Sequence, residues 1–132
     1  MHIADGVVSA PVWAGSLGGA VGMGVVVLRT VESRRVPKIA VITSAFFVAS
    51  LIHVPLGPTS VHLTMSGLVG LFLGPAAFIA IGAGLALQAV LFQHGGVTTI
   101  GVNTLIMGAP AVFVWWLCCC KFSQVLYRRP FL

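Results

Sequence analysis

Residues 11–28 read PVWAGSLGGAVGMGVVVL, eighteen residues without a charge. Wound as a helix at ~1.5 Å per residue, a run of that length approaches the ~30 Å hydrocarbon core of a bilayer. Four further apolar runs follow, at 39–54, 61–73, 76–92 and 102–120. They are separated by a polar loop around Pro37, a Pro- and Gly-containing loop at 55–60, the pair Gly74-Pro75, and a Gly-rich loop at 93–101. The third run is short, about 20 Å if helical. Of the 132 residues, 58% are hydrophobic and 7% are charged, more apolar surface than a soluble core of this size can hide. The expected fold is therefore all-α: one transmembrane domain over residues 1–132, a polytopic bundle of about five spans.

The charges orient this bundle. Arg29, Arg34, Arg35 and Lys38 cluster after the first run, and Lys121, Arg128 and Arg129 follow the last. Lys and Arg collect in cytoplasmic loops, and five crossings put both groups on one side. The N-terminus is then outside and the C-terminus cytoplasmic. His2, His53, His62 and His94 all fall at the outer face. The basic balance itself reflects scarce acids, Asp5 and Glu32 alone. No basic stripe interleaved with aromatics is present, which argues against nucleic-acid binding.

The start, MHIADG, lacks the basic n-region of a signal peptide, so a free, uncleaved N-terminus is expected. A second-position histidine then acquires a chemical use. The Met1 amine, the His2 backbone nitrogen and the His2 imidazole can wrap one metal in fused chelate rings. Planar nitrogen ligation suits Ni(II) or Cu(II), and one more imidazole, from His53, His62 or His94, would complete the plane. Taken singly, each histidine has a plainer use: a frayed end for His2, an interfacial imidazole for His62, a loop hydrogen bond for His53 and an exposed turn for His94. Asn103 and Gln88 lie just inside apolar runs and must bond to other helices or loop backbone. Asp5 is expected to cap or hold the N-terminal segment.

The repeats Gly15-x-x-x-Gly19 and Gly18-x-x-x-Gly22 allow close helix approach, within the chain or to a partner. Cys118, Cys119 and Cys120 are consecutive, a poor arrangement for bridging one another. They are expected to be small interfacial residues, with palmitoylation or thiolate metal binding as the alternatives. No carboxylate pair lies in a span, no nucleophile and base stand at usable spacing, and no Gly-x-x-x-x-Gly-Lys-Ser/Thr phosphate loop occurs. An enzyme is not expected.

Several of these stretches together resemble one family. Met1 to Gly6 with Ser9, the loop Pro55 to Leu63, the stretch QAVLFQHGG at 88–96 and GVNTLIMG at 101–108 are similar to motifs of the CbiM/NikM proteins. These are the substrate-binding membrane subunits of energy-coupling factor (ECF) transporters for cobalt and nickel. The resemblance implies that Co(II) or Ni(II) is held as transported substrate by Met1, His2 and an imidazole mapping to His62, with His53 and His94 less favoured. It implies no organic cofactor and a place in a prokaryotic inner membrane. The implied partners are a transmembrane coupling subunit, two cytoplasmic ATPase subunits and a small CbiN-like accessory membrane subunit. Family members usually continue into further membrane helices, so this chain is expected to be a fragment or a shortened form. The competing expectation is a small membrane scaffold or accessory protein without its own metal site.

Overall fold

The computed structural model describes residues 3, 5–56, 59–62, 65–93 and 95–127, with backbone alone for 53–56, 59–62 and 122–127. Five α-helices are present among them: α1 (Ala10–Leu28), α2 (Val36–Leu51), α3 (Ser66–Leu73), α4 (Ala77–Phe92) and α5 (Ile100–Tyr127). Pro11 and Pro37 sit in the first turns of α1 and α2, where the missing N–H costs nothing and the fixed φ suits a helix start. Gln93 ends α4 in the left-handed conformation, with φ 52°.

The expected all-α class holds, with one local difference at the ends of two expected runs. Among the described residues the regular structure is helical except for a two-stranded antiparallel ribbon, β1 (His53–Leu56) and β2 (Thr59–His62). The end of the expected second span and the start of the third are strand. Val54 and Val61, β-branched residues suited to strands, pair across it.

The span count also differs from five. Among the described residues, three helical stretches are long and apolar enough to cross a membrane: Ala10–Leu28, Ser66–Phe92 and Ile100–Lys121. With 16 residues, α2 reaches only about 24 Å, and α3, with eight, about 12 Å.

The stretch Ser66–Phe92 is itself a helical hairpin. Phe78 packs on Gly108 and Thr104 on Gly82, so α4 runs antiparallel to α5. Before the bend the order inverts: Gly70 meets Ala111 and Gly74 meets Trp115, so α3 runs parallel to α5. The reversal occurs at Gly74, whose φ of 62° and ψ of −135° few residues other than glycine adopt. Phe46 lies against Gly84, and Gln88 bonds Ser50, so α2 runs parallel to α4. Successive helices thus alternate in direction.

Central to the bundle is α4, with Ala77, Ala80 and Ile81 fully buried. They join Phe46, Val69, Leu73, Leu85, Met107 and Ala111 in one core. Small residues set the distances. A methyl group on Gly70 would overlap the Ala111 carbonyl, and one on Gly101 would lie 2.5 Å from the Leu17 Cα. The glycines of α1 play no such part: a methyl group on Gly15, Gly18, Gly19, Gly22 or Gly24 would meet nothing within 4 Å among the described residues.

This contrast predicts opposite outcomes for one substitution. Alanine is the better helix former by ~1 kcal/mol, and at Gly15 nothing opposes it. At Gly70 the clash is with backbone, which no rotamer change relieves, and overpacking of this kind costs about 1–3 kcal/mol. Thermal unfolding in detergent is expected to show Gly70→Ala melting below the parent chain and Gly15→Ala melting at or above it.

Candidate metal-capture site

The directions of the helices gather several loops at one end of the bundle. There α4 finishes, α5 begins and α1 begins. Because α2 runs with α4, the ribbon that leaves α2 emerges at this end as well. The opposite end carries Arg29, Arg34 and Arg35 between α1 and α2, and Lys38 in the first turn of α2, all exposed.

Residues just before α5 hold the N-terminal segment in place. The Asp5 carboxylate accepts hydrogen bonds from the backbone N–H of Val97 (3.2 Å), the backbone N–H of Thr98 (3.1 Å) and the Thr98 hydroxyl. These N–H groups belong to the turn that leads into α5, and a carboxylate ninety-odd residues away in sequence is their partner. Its charge suits the positive end of the helix dipole. Gly96 makes room, since any side chain there would overlap the Asp5 carboxylate. The Thr98 hydroxyl chiefly, helped by the backbone N–H groups of Thr98, Val97 and Thr99, holds the Asp5 carboxyl below its ordinary value of 3.8 against a smaller desolvation effect.

Deeper in, the backbone of Ile3 is held at both edges. Its N–H donates to Asn103 Oδ1 at 2.9 Å, and its carbonyl accepts from Asn103 Nδ2 at 3.2 Å and from Thr99 Oγ1 at 2.8 Å. Asn103 and Thr99 are buried. Polar groups at that depth are expensive without partners, and the N-terminal strand of backbone supplies them. The expected roles of Asn103, bonding to loop backbone, and of Asp5, holding the N-terminal segment, are what the structure shows.

The other candidates divide. Met1, His2 and His94 lie outside the described residues. His53 and His62 stand opposite one another in the register of the ribbon. Gln88 is buried and donates to the Ser50 hydroxyl across α2 and α4, while its carbonyl oxygen finds no hydrogen-bond partner. Cys118, Cys119 and Cys120 are exposed on α5. Among the described residues no three His, Cys, Asp or Glu side chains converge, so the proposed ligands turn on Met1, His2 and the ribbon. Thr98 and Thr99 were not singled out by the sequence; two hydroxyls directly before a helix are the available signal.

Comparison with known proteins places this apolar helical bundle in a family. The CbiM family, described as the cobalt uptake substrate-specific transmembrane region, matches residues 2–131. The chain belongs to that family. A Haemophilus influenzae protein named for metal transport is 45% identical over 118 residues, covering 89% of this chain and 57% of that protein. The fused nickel transport protein NikMN of Rhodobacter capsulatus is 33% identical over 113 residues, covering 81% of this chain and 33% of that one. A crystal structure of a transition metal transporter superposes with a TM-score of 0.82 at 27% identity, over 94% of this chain and 58% of that one. The chain therefore spans about half the length of the relatives it matches.

The Asp5 anchor carries a pH expectation. A carboxyl held below its ordinary value stabilises the folded form above the unfolded value of 3.8, and that contribution is lost as pH falls through the folded value. The Val97 and Thr98 amides are expected to stay protected from hydrogen exchange from neutral pH down to about 4 and to lose protection below it. In Asp5→Ala both amides exchange faster across the whole range. Equal protection in the two chains at neutral pH would show that the carboxylate is not their partner.

Proposed function

We propose that this chain captures Co(II) or Ni(II) at the outer membrane face, as the substrate-specific part of an ECF-type uptake transporter. The observation that carries the proposal is the fastening of the N-terminal segment at Ile3 and Asp5, at the end of the bundle where the ribbon bearing His53 and His62 emerges. Residues 1 and 2 directly precede this anchored peptide. The Met1 amine, the His2 backbone nitrogen and imidazole, and the His62 imidazole form the proposed four-nitrogen plane. His53 and His94 are the reserve candidates.

Membership of a cobalt uptake family supports the cargo, as do the cobalt and nickel names of relatives. The gathering of basic loops at the opposite end supports a cytoplasmic assignment for that end, and so an outward-facing N-terminus in a prokaryotic plasma membrane. The alternating directions of α1 to α5 bring the α1–α2 loop and the C-terminal end of α5 to one end of the bundle, in keeping with an N-terminus outside and a cytoplasmic C-terminus. Residues 1–132 then act as one transmembrane domain. A coupling subunit and two ATPase subunits would supply the work, and a small accessory membrane subunit would assist. The open glycine face of α1 suits close approach by another helix. Nickel is favoured over cobalt on intrinsic affinity, so discrimination falls to the geometry of the plane.

His2→Ala, or residues added ahead of Met1, is expected to abolish Co(II) and Ni(II) binding measured by calorimetry on the purified chain. Binding to the parent chain should weaken in acid, because each nitrogen must shed a proton. Unchanged affinity in both altered chains would reject the plane, and no binding by the parent chain would favour a scaffold role without a metal site.

A further inference from the structure

We infer that Asn103 is a positioning residue for the metal plane, and that it acts by withholding the Ile3 nitrogen from the metal; the inference rests on the metal-capture reading above. A metal bound at a free N-terminus has a choice of donors. After the amine and the nitrogen of residue 2, the plane can continue through the His2 imidazole or through successive backbone nitrogens beginning with that of Ile3. The second route fills the plane from one strand and needs no imidazole from elsewhere. Only the first leaves the fourth place open to the ribbon.

The geometry favours the first route. The Ile3 N–H is spent as a donor to Asn103 Oδ1 at 2.9 Å. The same carboxamide turns its Nδ2 to the Ile3 carbonyl at 3.2 Å, so one side chain grips both edges of the residue after His2. Thr99 Oγ1 reinforces the carbonyl side at 2.8 Å and lies 3.4 Å from Asn103 Nδ2. Asn103 is 5% exposed and Thr99 1%, so water does not compete for these bonds and the strand has little freedom to slide. All three contacts read backbone and are indifferent to the side chain of Ile3. They fix the backbone of Ile3, the residue that follows His2 in sequence; a chelate gains from pre-organisation of this kind, and groups that orient metal ligands typically change affinity 10- to 100-fold.

The test uses the full chain in detergent with Ni(II) as probe. Asn103→Ala is expected to weaken Ni(II) binding about tenfold or more and to shift the visible circular-dichroism bands of the bound metal. His62→Ala should then cost far less in the Asn103→Ala background than in the parent. Thr99→Val, which touches only the carbonyl side, should weaken binding without moving the bands. Unchanged affinity and bands in Asn103→Ala would overturn the inference; so would weaker binding with unmoved bands, the mark of a purely structural role. Should Asn103→Ala fail to fold, the parent chain decides. Planar Ni(II) is diamagnetic, so the Ile3 amide proton should persist in the NMR spectrum at saturation, and its loss on metal binding refutes the assignment. His2→Ala separates the two levels. If it binds like the parent, the metal site itself is wrong. If it does not bind while Asn103→Ala behaves as parent, only the role of Asn103 falls.

Discussion

A bilayer offers no water to a stranded amide or hydroxyl, and this constraint shapes the end of the bundle where α5 begins. Asn103 and Thr99 face inward among apolar helices, where an unbonded polar group is costly. Their partners are the two backbone groups of Ile3. The N-terminal segment is therefore folded down onto the bundle as much by the needs of α5 as by its own. Asp5 completes the exchange at the surface, accepting from the Val97 and Thr98 N–H groups of the turn that leads into α5. Helix start and chain terminus each supply what the other lacks.

A second constraint is distance. Lipid tails provide no hydrophobic drive between helices, so packing quality decides association. The structure spends its glycines where backbones nearly touch: Gly70 against Ala111, Gly101 against Leu17, Gly84 against the Phe46 ring. These contacts seat the α3–α4 hairpin on α5 and bring α1 alongside. The reversal at Gly74 follows the same economy, since it lets two short helices bury Val69, Leu73, Ala76 and Ala77 together. Where α1 turns its own glycines outward, no such contact exists within the described residues, and that face stays available to another helix.

The apolar runs were legible because composition alone demanded helices, and the observed helix ends fall within a few residues of the expected ones for α1 and α4. The ribbon was not legible. His53-Val54 and Val61-His62 sit at the edges of apolar runs, and a short run of this kind suits a strand as well as a helix end. The pairing of residues 53–56 with 59–62 joins two segments that hydropathy assigns to different spans. The span count suffered for the same reason: hydropathy reports apolar length, whereas α2 and α3 lose residues to the ribbon and its flanks. Asn103 and Asp5 were readable as residues in need of partners, but the identity of those partners is a long-range fact, separated by about a hundred positions. Thr99 gave less warning, because a hydroxyl in a loop is ordinarily content with water.

The division between the two ends of the bundle bears on how a proposed plane with three nitrogens from residues 1 and 2 can be selective at all. Nitrogen donors by themselves rank metals by intrinsic affinity, and a flexible terminus would adapt to each. Selectivity needs a terminus that cannot adapt. The grip on Ile3, the anchor at Asp5 and the registered ribbon each fix one approach to the site, and all three are tied to α5 or α2, helices that pack on the same buried α4. A metal whose preferred geometry departs from the plane must displace buried hydrogen bonds to be accommodated. On this argument discrimination between metals resides less in the proposed ligands than in the buried Asn103 amide and Thr99 hydroxyl behind them.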